Sequence, residues 1–123
     1  MDAVLPPRLA DHFARPRCAG DLEGATHAGR GSNPACGDLL LLRLRIVGGR
    51  IERAAFRAQG CSAFLATASL VTEALVGVTV EEARALDPAS LVREAGGVPR
   101  GSEHAPAVAR RAIESAVAGA LRP

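Results

Sequence analysis

The 123-residue chain is 48% hydrophobic with a net charge of +2, enough apolar material for a small core without covalent staples. Three Phe and no Tyr or Trp exclude base-stacking recognition of nucleic acid, and the charge leaves no basic footprint for it. No apolar run reaches membrane-spanning length, MDAVLPPRLADHF lacks the pattern of a signal peptide, and three cysteines are an odd number; a cytoplasmic protein whose thiols serve metal or reactivity is expected.

Residues 5–14 read as a short helix. Pro6 and Pro7 suit its first turn, Leu5, Leu9 and Phe13 recur at i, i+4 and i+8, and Pro16 stops it. His12 and His27 read as surface residues. Residues 1–30 read as a partly flexible N-terminal arm, with one short strand near Thr26–Arg30. LLLLRLRIV (39–47) and IERAAFRA (51–58) read as strands joined by the two-residue turn Gly48-Gly49, with Arg43 and Arg45 on the solvated face. Residues 61–76 read as a buried helix, with Phe64, Leu65, Ala68, Val71, Thr72 and Leu75 on one side and Gly77 at its end. Thr79 to Glu82 is a capping box opening a short helix to about Leu86, and Asp87-Pro88 starts another turn. Residues 94–104 read as a loop. The last helix runs from about Pro106, with Val108, Ala109, Ala112, Ile113, Ala116, Val117 and Leu121 facing inward. Strands first and helices afterwards predict an α+β fold, in one domain over residues 1–123.

The hairpin carries a geometric expectation. With Gly48-Gly49 as its turn, Ile46 faces Ile51, Leu39 faces Ala58 and Cys36 falls opposite Cys61. Asp38, two residues from Cys36, goes to the same face by strand alternation. Cys61 opens a helix, where exposed N–H groups favour thiolate, the form that binds metal or attacks sulfur. His104, just outside the last helix, is a fourth candidate. Two Cys, one His and one Asp make a complete tetrahedral set for zinc or iron, although no C-x-x-C occurs. Cys36 and Cys61 could instead be ordinary buried thiols or a cross-strand disulfide, Asp38 a turn cap, His104 an exposed loop histidine, and Cys18 a plain loop thiol.

HFARP (12–16), NPACGD (33–38) and QGCSAFLATASLVTEALVG (59–77) resemble the IscU/NifU-type iron–sulfur cluster assembly scaffolds, in order and over nearly the whole chain. The resemblance implies a small antiparallel three-stranded sheet packed against helices. It implies a scaffold, not an enzyme, that acts as a monomer or weak dimer. Such a scaffold receives persulfide sulfur from a cysteine desulfurase, binds iron, and passes a transient [2Fe–2S] cluster to apo iron–sulfur acceptor proteins, with zinc as the other occupant of the same ligands. Cys36, Asp38 and Cys61 take the family's ligand positions; the family's principal sulfur acceptor is its third cysteine, so here persulfide sulfur is expected at Cys61 or Cys36. The departure is PRGSEHAPAVARRAI (99–113): His104 takes the family's histidine place, and Ala105 stands where the family has a third cysteine. The SufU type has an insertion before its last cysteine and lacks the histidine; this chain shows neither and is closer to IscU/NifU. Three outcomes stay open. Cys36, Asp38, Cys61 and His104 hold cluster or metal between them; Cys18 folds back as the third thiol; or assembly is lost, leaving a zinc-binding desulfurase partner or a sulfur-relay protein.

Overall fold

The computed structural model describes residues 4–122. Its elements are α1 (Pro7–Ala14), β1 (His27–Asn33), β2 (Asp38–Val47), β3 (Arg50–Gln59), α2 (Ser62–Leu75), α3 (Val80–Ala85), α4 (Pro88–Glu94) and α5 (Ala105–Ala118). The strands form an antiparallel sheet in the order β1-β2-β3, so the expected α+β fold with a three-stranded sheet against helices is what forms. No helix among the described residues is long and apolar enough to cross a membrane.

Alternation along β2 decides which face is covered. Leu40, Leu42 and Leu44 are buried against the helices, while Leu41 and Arg43 face outward. Ile51, Ala54 and Phe56 of β3 join the same core, filled from the other side by Phe64, Ala68, Val71 and Leu75 of α2 and by Val108, Ala112, Ile113 and Ala116 of α5. Helix α2 is apolar on most of its circumference, so it can be buried on both sides. Its outer face, with Ala66 and Leu70, meets Leu9 of α1 and Val92 of α4 in a second cluster. A single buried side for α2 is therefore too narrow a reading. Thr67 and Thr72 tolerate burial because each hydroxyl donates to the carbonyl four residues back, on Ala63 and Ala68. Thr79 and Glu82 make both bonds of the expected capping box, and Asp87 caps α4 through the Ala89 N–H at 3.1 Å.

Both sheet edges are covered. On β3, Phe56 donates its N–H to the Cys18 carbonyl at 2.9 Å and accepts from the Gly20 N–H at 2.8 Å. Residues of the expected flexible arm are thus tied to the sheet, with α1 packed on α2 ahead of them. On β1, Ala28 donates to the Gly119 carbonyl and Leu121 donates to Thr26, which carries the chain past α5 along the edge. That path leaves Leu121 exposed rather than inward, and Phe13 likewise turns to solvent.

Helix α5 lies directly on β1. A Cβ added to Gly29 would sit 2.1 Å from the Ala116 nitrogen, and one added to Gly31 would sit 2.3 Å from the Val108 carbonyl oxygen. Only glycine permits that approach, which explains two glycines inside a strand. Gly31→Ala is expected to destabilise the fold by about 1–3 kcal/mol through overpacking, read as a lower urea midpoint with an unchanged slope.

His12, expected at the surface, is 3% exposed. Its Nδ1 lies 2.7 Å from the Ser69 hydroxyl, which also accepts the Arg17 N–H at 2.8 Å. Its Nε2 faces Glu73 at 3.7 Å. Burial first, then the Arg17 cation, push His12 below its ordinary value of 6.5, against the opposing pull of Glu73. The unfolded chain therefore takes up this proton at higher pH than the folded one. The associated stability is present above pH 6.5 and is lost as pH falls below it. Urea midpoints measured from pH 7.5 downward should drop through this range, and His12→Asn should flatten that drop.

Candidate functional site

Cys36, Asp38, Cys61 and His104 all come from the same end of the sheet, but by a different register than the hairpin alone suggests. Gly48-Gly49 forms the expected turn, and Ile46 pairs with Ile51. A bulge then inserts Glu52, so Arg45 pairs with Arg53, Leu39 with Gln59 and Leu40 with Ala58. The expected pairing of Leu39 with Ala58 is off by one. The sequence trace of the bulge is the three-residue step between Ile51 and Ala54, two inward residues that strict alternation would place two apart. The ladder stops at Gln59, so Cys36 is not a strand residue opposite Cys61. It sits in the β1–β2 turn, where its N–H donates to the Asn33 carbonyl at 3.1 Å and Gly37 follows at φ +74°. Cys36 and Cys61 are both free and exposed, which removes the buried-thiol and disulfide alternatives.

Asp38 is the first residue of β2 and shares the inward face with Leu40, so its side chain goes to the helix side and is 3% exposed. A carboxylate there needs a partner. His104, at the N-cap of α5, supplies it: its Nε2–H donates to Asp38 Oδ2 at 2.5 Å. The other oxygen, Oδ1, lies 2.6 Å from where a Cβ on Gly60 would be, so Gly60 leaves room for the carboxylate beside Cys61. Cys61 is the N-cap of α2, with no side-chain cap bond, and its sulfur lies 3.7 Å from the Ser102 hydroxyl.

The four expected ligands therefore form a bonded pair, Asp38–His104, flanked by two exposed thiols. Among the described residues no three His, Cys, Asp or Glu side chains already converge on one metal position. The donor set nonetheless fits a thiophilic metal: two accessible sulfurs, a carboxylate and an imidazole. Cys18 lies elsewhere. Its carbonyl accepts from Phe56, five residues back along the strand from Cys61, roughly 16 Å at strand rise. Burial and Glu73 push its thiol pKa up. The third-thiol alternative for Cys18 fails on this position. Ser102 is the residue sequence reasoning passed over; its signal was a hydroxyl two residues before His104 in an otherwise plain loop.

A double-mutant cycle with Asp38→Ala and His104→Ala should give a coupling of about 0.5–3 kcal/mol in urea denaturation, because His104→Ala alone leaves the buried carboxylate unpaired.

Residues 6–120 match the family model described as NifU-like N terminal domain. The chain is 35% identical over 115 residues to "Iron-sulfur cluster assembly scaffold protein IscU 1" of Archaeoglobus fulgidus, covering 94% of this chain and 75% of that one. It is 34% identical to the IscU scaffold of Haemophilus influenzae, covering 90% of each. Among solved structures, a candidate SUF-system cluster assembly scaffold from Fervidobacterium islandicum superposes with a TM-score of 0.73 over 90% of this chain and 94% of that one, at 17% identity, which speaks to the fold.

Proposed function

The chain belongs to the NifU-like N-terminal domain family, and from that membership we propose that it is an iron–sulfur cluster assembly scaffold built on Cys36, Asp38, Cys61 and His104. One observation carries the reading. The span related to named scaffolds contains two exposed thiols beside a carboxylate–imidazole pair, at one end of a sheet that has no other such grouping among the described residues.

The residues divide the work by softness. Cys36 and Cys61 present thiolates, which hold iron and can receive sulfur. Sulfur arrives from a cysteine desulfurase: the Cys61 thiolate attacks the outer sulfur of the donor's persulfide, an S–S bond forms at Cys61, and the donor's cysteine leaves as thiolate. A separate electron donor reduces that sulfur to sulfide. Asp38 and His104 are harder donors, and to bind iron through Nε2 the His104 proton must shift to Nδ1. Oxygen and nitrogen donors in place of thiolates weaken the hold on iron, which suits a cargo that is handed to acceptor proteins. The cargo is a [2Fe–2S] cluster, and zinc is the competing occupant. The protein holds and releases rather than turning over a substrate, and its three free cysteines suit the reducing cytoplasm.

Anaerobic reconstitution with ferrous iron and sulfide should yield a visible cluster spectrum. Cys36→Ala and Cys61→Ala should abolish it, and Cys18→Ala should leave it. One bound zinc per chain with no cluster under any condition would overturn the scaffold in favour of a zinc-binding desulfurase partner. Metal-free sulfur transfer from Cys61 to a small acceptor would favour a relay.

A further inference from the structure

We propose that the open part of the sheet's outer face is a docking patch for a partner protein whose surface sets carboxylates around one apolar side chain. Register and alternation place the patch. On the face turned away from the helices, Leu41 has Arg30 of β1 opposite it on one side and Arg57 of β3 opposite it on the other. Arg43 follows two residues along β2, roughly 7 Å away at strand rise. Leu41 is 38% exposed, and Leu39 lies beside it on the same face. An apolar side chain thus stands in the open among three arginines.

The rest of this face is crossed by the chain itself. The Gly20 N–H donates to the Phe56 carbonyl at the β3 edge, and the Thr26 N–H donates to the Leu44 carbonyl at the start of β1. Between them, Asp21 takes the Arg57 guanidinium at 2.8 and 3.0 Å, and Arg45 donates to the Gly24 carbonyl at 3.0 Å. Contacts to these two outward side chains put the crossing on the outer face. Arg30 and Arg43 have no ion-pair partner among the described residues. Glu81 and Glu82 in α3, Glu94 in α4 and Glu114 in α5 sit on the helical side, so a net charge of +2 conceals the patch. Arginine binds carboxylate through paired N–H bonds, and protein interfaces set an apolar centre within a polar rim enriched in arginine. A second copy of this chain does not fit, because the patch laid on itself sets arginine against arginine. Both sheet edges are occupied, so the partner lies on the face rather than adding a strand. Leu39 and Gln59 carry the patch to the end of the sheet that holds Asp38 and Cys61, so a docked partner stands beside the thiols. Its part in cluster traffic rests on the scaffold reading; the binding itself does not.

The test titrates the isotope-labelled, reduced full chain with the acidic peptide EDELEDE, blocked at both ends, at low salt, and follows the amide shifts. Shifts should concentrate at Arg30, at residues 39–43 and at residues 57–59, and added salt should weaken binding. Arg30→Ser combined with Arg43→Ser should weaken it about tenfold, as should Leu41→Ser or the peptide EDESEDE. Arg84→Ser combined with Arg93→Ser removes the same charge from the helical side and should change nothing. Equal loss in the two double variants, shifts spread over both faces, or equal binding of EDESEDE, which needs no altered chain, overturns the patch. Tighter binding of single-stranded DNA at the same residues overturns the protein partner. The Arg30→Ser, Arg43→Ser chain should keep its urea midpoint and its reconstituted cluster spectrum. A chain that binds the peptide but forms no cluster overturns the scaffold reading and leaves the patch standing.

Discussion

The seat of α5 on β1 governs the rest of the molecule. Positions 29 and 31 bring helix backbone to where a Cβ would be, 2.1 and 2.3 Å away, so helix and strand meet without side chains between them. That closeness fixes the height and rotation of α5 over the sheet. It aligns Val108, Ala112 and Ala116 with the leucines of β2, and carries the chain beyond Gly119 along the β1 edge. It also fixes where α5 begins, and with it His104. The Arg30 N–H on the Ser115 hydroxyl and the Arg111 guanidinium on the Ser32 carbonyl lock the same contact from either side.

Helix α2 is the second organiser. It packs on the sheet with one face and under α1 and α4 with the other, so its middle is solvent-free. Its N-cap escapes this burial. Cys61 caps it at the open end of the sheet, so a helix buried through its middle presents a thiol at its exposed tip. At its other end Ser69 and Glu73 receive His12 and Arg17, which ties the N-terminal segment to the same helix.

Between these two elements lies Asp38. Strand alternation commits its carboxylate to the covered face, where solvation is lost and a partner is required. The His104 bond meets that requirement and leaves the site closed on itself, with a carboxylate and an imidazole satisfied by each other. On the proposed function, a metal arriving at the two thiols would compete with that bond for both groups. Holding and releasing cargo are then opposite directions of one exchange between an internal hydrogen bond and metal ligation.

Much of this was legible in the residues. Gly48-Gly49, the capping box at Thr79 and Glu82, the alternation of β2 and the span of α5 follow from local rules acting over a few residues, and they gave the α+β fold, the three strands and the four candidate ligands. What escaped depended on contacts distant in sequence. The burial of His12 needs Ser69, 57 residues away, and the pairing of Asp38 with His104 spans 66. The bulge at Glu52 moved the hairpin ladder by one residue, enough to take Cys36 out of the strand and leave it in a turn. By itself the sequence determined which donors exist and to which end of the fold they belong, because chemistry and period are local properties. Which of them touch, and that Ser102 faces Cys61, only the tertiary structure decided, because these contacts join residues far apart in the chain.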